Sequence, residues 1–157
     1  TMYVDNNLLL SGSVSAAGVL SGQALTSAAG TVLSTNAIDL LQNRDIGEGK
    51  PLFMRVETLV AVSGGTSMQF QLIASDAANG TGNVTVVADT GAHAVASLVA
   101  GSRFVAAVNM RLANKGQRYL TAQAVSVGTT TTGTHVIDIG LEVQDGQKFY
   151  PSGFAVL

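Results

Sequence analysis

The chain has 157 residues, no cysteine and no tryptophan, and eight Lys and Arg against ten Asp and Glu, for a net charge of −2. These totals exclude a disulfide framework, thiol redox chemistry and thiolate metal sites, and the scattered charges form no basic stripe for a phosphate backbone. Only 11% of the residues are charged, against about 25% in an average soluble domain, which suits a surface largely covered by partners.

The first 36 residues stand apart from the rest. After Tyr3 and the apolar Leu8, Leu9 and Leu10 the composition turns to Ser, Ala and Gly, with a near-repeat: SAAGVLS from Ser15, then SAAGTVLS from Ser27. Small side chains bury too little area to offset the entropy of ordering. Residues 1–36 are therefore expected to form an arm, flexible or ordered by a partner, with an extended loop packed on its own domain as the alternative. The opening TMYVDNNLLL has no basic leader followed by a long apolar run, so no signal peptide is expected. The apolar stretches are also shorter than a membrane span needs.

Residues 37–157 read as one domain of strands. Ala37 to Leu41 suits a short strand, closed by the turn chemistry of Asn43, Asp45, Gly47 and Gly49. Pro51 opens a long strand in which Leu52, Met54, Val56, Thr58, Val60 and Val62 share a face. Arg55 and Glu57 take the other face with Phe53 and Leu59. Beyond the turn Ser63 to Thr66, residues Met68, Phe70, Leu72 and Ala74 point inward, with Gln69 and Gln71 outward. Asp76 to Asn83 is a polar loop, and Val84 to Ala88 and Ala94 to Ala100 give two short strands. Phe104, Ala106, Val108, Met110 and Leu112 alternate, and Asn114-Lys115-Gly116 reads as a hairpin turn. Arg118 to Val127 returns, Gly128 to Gly133 is a threonine-rich loop, and Ile137, Ile139, Leu141 and Val143 face inward. About eight antiparallel strands of this kind predict an all-β jelly roll or β-sandwich, with a closed barrel as the other arrangement.

Little in the chain suggests chemistry, and no catalytic residue, cofactor or metal is expected. His93 and His135 have no cysteine and no suitably spaced carboxylates beside them, which argues against zinc. A surface or interface hydrogen-bonding role is expected for each. Asp39 and Asp138 sit in similar settings, Ala-Ile-Asp-Leu and Val-Ile-Asp-Ile, and could pair as acid and base across adjacent strands. The stronger reading is two solvent-facing residues beside inward isoleucines. Asp76, Asn79 and Asn83 lack the spacing of a calcium loop and read as turn residues. The side chains that could anchor a partner are Tyr3, Leu8, Leu9, Leu10, Phe149, Tyr150 and Phe154, because large apolar groups give much contact area at low entropic cost. The same residues could instead complete the domain's own core.

Three segments carry a family likeness: STNAIDLLQNRDIGEGKPLFMRV from Ser34, NKGQRYLTAQAVSVG from Asn114, and KFYPSGF from Lys148. In order and spacing they resemble the Bbp16-like capsid cement proteins of tailed bacteriophages, over roughly residues 34 to 154. Residues 11 to 33 are longer than in such relatives. The resemblance implies a jelly-roll decoration protein on the outer surface of the virion head. It would bridge major capsid protein subunits and self-associate as a dimer or trimer, with no nucleic-acid or membrane partner. A non-catalytic carbohydrate- or receptor-binding sandwich is the alternative, and a cupin-like or lyase-like enzyme is a more distant one.

Overall fold

The structure, a computed structural model, describes residues 8–27, 30–40, 52–109 and 117–140. Eleven strands run through these residues: β1 (Leu9–Ser11), β2 (Ser13–Val14), β3 (Leu20–Ser21), β4 (Gln23–Ala24), β5 (Gly30–Asp39), β6 (Leu52–Gly64), β7 (Ser67–Ser75), β8 (Thr85–Ala94), β9 (Arg103–Val108), β10 (Tyr119–Val127) and β11 (Thr130–Gly140). The first sheet has the order β1-β11-β6-β9, with β4 also paired to β11; the second has the order β5-β10-β7-β8. Every pairing is antiparallel. The pairs β1·β11, β5·β10, β6·β9 and β7·β8 match an antiparallel ribbon wrapped on itself, so the domain is a jelly-roll sandwich. This is the all-β architecture that the alternating runs predict.

The core lies between the two sheets, where the period-two alternation sends every second side chain. In the first sheet Ile137 sits opposite Val56, and Val56 opposite Phe104. In the second, Leu72 and Phe70 of β7 lie beside Ala122 and Ala124 of β10, large against small, and all four are fully buried. Each Leu, Ile, Met or Phe buried in this way contributes about 1.5–3 kcal/mol.

The strand bounds and faces depart from the sequence reading at several points. The short strand expected at Ala37 is the end of the ten-residue β5, which begins at Gly30 and so crosses the boundary placed after residue 36. The loop expected over Gly128 to Gly133 is mostly strand, because β11 starts at Thr130. Likewise, β8 runs unbroken to Ala94, and Val95–Ser97 forms a 3-10 turn where a separate strand was expected. Finally, Val60 does not share the inward face of β6: register shifts near Thr134 leave it 51% exposed. The hairpin turn at Asn114-Lys115-Gly116 lies outside the described residues.

The Ser/Ala/Gly-rich segment is built into the first sheet. From Leu8 to Ser27 it follows β11 in the opposite direction. Leu8 C=O accepts from Ile139 N–H, Leu9 pairs with Asp138, Gln23 with His135 and Ala24 with Thr134, and Ser27 C=O accepts from Thr130 N–H. β1 and β4 are thus two pieces of one edge strand. Between them the chain leaves the sheet as the small hairpin β2–β3, closed by Ser15 N–H donating to Val19 C=O at 2.9 Å. Gly12 starts this excursion at φ +96°, a conformation that favours glycine.

Candidate functional site

Among the described residues four features carry polar or exposed chemistry, and each follows from where a strand places its side chain.

The first is a buried ion pair. Arg55 on β6 and Asp138 on β11 are register partners on the outward face of the first sheet. Arg55 Nε donates to Asp138 Oδ1 and Nη2 to Oδ2, each at 3.0 Å. Both residues are nonetheless buried, at 6% and 1% exposure, and are bordered by the buried Leu9 and Val136. Burial pushes the Asp138 carboxyl above its ordinary value, and the Arg55 guanidinium pulls it back. Next to the pair, Arg103 and Glu57 are 3.6 Å apart and more open to solvent. Asp138 is therefore not the solvent-facing residue that the sequence suggests. Nor does it meet Asp39, which lies in the other sheet and pairs with Arg118 at 2.9 Å.

The second is His135, which is fully buried between the sheets, contrary to the surface or interface role expected for it. Its ring meets Phe70 of the opposite sheet edge-on, with centroids 4.9 Å apart. Nδ1 lies 3.2 Å from Thr58 Oγ1, and Nε2 has no hydrogen-bond partner among the described residues. Burial lowers its pKa from 6.5 to about 4, so the imidazole is neutral at neutral pH. His93 is different: half-buried, it stacks on Phe104 at 3.9 Å and donates from Nε2 to Thr90 C=O at 3.1 Å.

The third is a row of amides on the outward face of the second sheet. Gln123 Nε2 donates to Gln71 Oε1 at 2.6 Å, Gln71 Nε2 to Asp89 Oδ2 at 3.0 Å, and Gln69 Nε2 to both Asp89 oxygens. Partial burial works against ionisation of Asp89. The bonds from Gln69, Gln71 and the Gly91 N–H outweigh it and hold the carboxyl below its ordinary value.

The fourth is the hairpin β2–β3, with Ala16, Ala17, Gly18 and Val19 exposed at its turn. No charged residue lies between Asp5 and Asp39, so the whole projection is uncharged.

The other sequence candidates can now be placed. Leu10 is in the core, Leu9 is buried on the opposite face of β1, and Leu8 is half-buried, so β1 spends these side chains largely within its own domain. Tyr3, Phe149, Tyr150 and Phe154 lie outside the described residues. Asn79 Oδ1 accepts from Thr81 N–H and Oγ1–H, as a turn residue does. Among the described residues, no three His, Asp or Glu side chains gather where they could hold a metal ion.

Sequence reading missed the role of Gln23, which acts at the edge of the second sheet. Its Nε2 donates to Leu33 C=O at 3.0 Å, and its Oε1 accepts from Thr35 N–H at 2.9 Å. One side-chain amide thereby stands in for the peptide group of a neighbouring strand along β5. A lone Gln in a Ser/Ala/Gly segment was the available signal, but its partner is visible only once β4 and β5 are placed.

Taken together, these features define a jelly-roll domain with a latched edge strand and an uncharged projecting hairpin. Residues 19–139 match the Bbp16 family, and the chain belongs to this phage-related family. It is a phage-associated structural protein. No curated protein matches the chain.

Proposed function

We propose that this protein is a capsid cement protein, which binds the outer surface of a phage head and stabilises junctions between major capsid protein subunits. Membership of the Bbp16 family over residues 19–139 carries this reading. The architecture is in keeping with it. A clamp has to be rigid, and the two sheets are joined at both sides: by Gln23 and by Asn36 donating to Leu9 C=O at one seam, and by Asn109 N–H donating to Val87 C=O at the other. The projecting hairpin offers an uncharged, partly apolar contact for a capsid subunit. The role calls for no catalytic centre, and many weak clamps on one shell add their effects through multivalency. Self-association as a dimer or trimer is part of the proposal.

The experiment is quantitative mass spectrometry of purified particles, reading copies of this chain against the major capsid protein. A ratio near one, or a simple fraction of it, is expected. A trace amount overturns the reading. The Gln69, Gln71, Gln123 and Asp89 row favours a second reading, a carbohydrate-binding module, because it gathers polar side chains on the outward face of the second sheet. A glycan array without hits removes that reading.

A further inference from the structure

His135 connects three parts of the fold. Its ring is wedged between β6, through Thr58, and β7, through Phe70. Its backbone pairs with Gln23 of β4, and its C=O accepts from Ser11 Oγ at 3.1 Å. Gln23 in turn holds Leu33 and Thr35 at the edge of β5. The residue in the core and the segment along the edge are therefore backbone neighbours.

No described charge faces the ring to stabilise it if protonated. From β6 it meets Thr58 and from β7 Phe70, while Gln23 of β4 and Ser11 of β1 lie against its backbone. Arg55, Glu57 and Asp138 lie on the opposite face of the same sheet. His93 is committed to Phe104 and Thr90 at the other seam. An imidazolium here needs water, and an uncompensated buried charge is expensive. The cover is thin on one side only. β6 and the second sheet are central, whereas on the β4 side Gln23 is half-buried and Ala24 exposed. Residues 11–24 are mostly Ser, Ala and Gly and lose little apolar burial on detaching, whereas the fully buried Leu10 and Leu25 anchor the two ends of this stretch in the core.

We propose that His135 makes residues 11–24 an acid-released latch: when its ring takes up a proton, β4 leaves β11, the Gln23 amide leaves β5, and the edge groups of Leu33 and Thr35 become free. The jelly-roll body stays folded in this state, with an open strand edge that can pair with an extended segment.

The test is amide hydrogen exchange on the full chain at about pH 7.5 and about pH 4.5, corrected for intrinsic rates. Expected is a fall of at least about tenfold in protection of residues 11–24 and of the Thr35 N–H, with protection in β7 and β10 retained. His135→Gln should abolish the acid response, and His93→Asn should leave it in place. Should His135→Gln fail to fold, NMR titration of the wild-type imidazole gives the answer, with the His135 signal assigned by its persistence in His93→Asn. The His135 ring should then titrate in step with loss of Thr35 protection. Unchanged protection of residues 11–24, simultaneous opening of every strand, a response that survives in folded His135→Gln, or a ring that titrates without the segment opening would each overturn the proposal.

Discussion

Arg55 and Asp138 close a two-pronged ion pair across β6 and β11 on the face of the sheet that points away from the core, yet neither is open to solvent. Two charges taken out of water gain from each other only while both are present. Asp138→Ala, which strands the guanidinium, should destabilise the domain by about 3–5 kcal/mol. The double substitution Arg55→Met with Asp138→Leu should recover most of that loss, because an apolar pair of similar size needs no compensation. Urea denaturation of the three proteins measures both effects.

Gln23→Ala removes the amide that occupies the β5 edge, with its bonds to Leu33 and Thr35. Stability should fall by about 1–2 kcal/mol. Light scattering should also show concentration-dependent association beyond that of the wild type, since an uncovered strand edge is a template for another chain. A variant that stays as dispersed as the wild type would show that the edge is protected in some other way.

Gly12 and Gly18 both have positive φ, at +96° and +77°, but differ in their surroundings. A Cβ at Gly12 would come within 2.6 Å of Ser21 O, whereas one at Gly18 meets nothing within 4 Å. Gly18→Ala should cost only the conformational penalty, about 1 kcal/mol. Gly12→Ala should cost clearly more, because the hairpin must shift to admit the methyl group. Thermal melts of the two variants give the order directly.

One part of the pH dependence of global stability follows from His135. Burial lowers its pKa from 6.5 to about 4, so between these values the unfolded chain holds a proton that the folded chain does not. Stability is therefore complete above about pH 6.5 and is lost as pH falls towards about 4, by up to about 3 kcal/mol from this residue. Urea midpoints at a series of pH values should show the decline, and His135→Gln should flatten this part of it.

Much of the fold was legible in the chain because alternation reports directly which side chains a sheet buries. β6, β7, β9 and β10 stand where the apolar runs of Leu52, Met68, Phe104 and Leu120 put them. The N-terminal segment was harder to read. Ser, Ala and Gly give no periodic signal, and the pairing of Leu9 with Asp138 and Gln23 with His135 joins residues more than a hundred positions apart. The polar residues misled for a related reason. His135 and Asp138 are three apart and occupy opposite faces of β11, as alternation requires, but whether the second face is covered depends on distant chain. A lone Arg in one apolar strand and a lone Asp between isoleucines in another was a usable sign of a buried pair.

Between Ser11 and Gln23 the edge chain advances twelve residues while its partner β11 steps back only two, from Ile137 to His135. Ten residues are thus surplus to the pairing, and the strand resumes in step after them. The hairpin can therefore change in length or sequence without moving any other strand, much as a tab can be trimmed without altering the sheet it is cut from. A foreign peptide inserted between Ala17 and Gly18 would extend from the domain surface and leave the registers of both sheets intact.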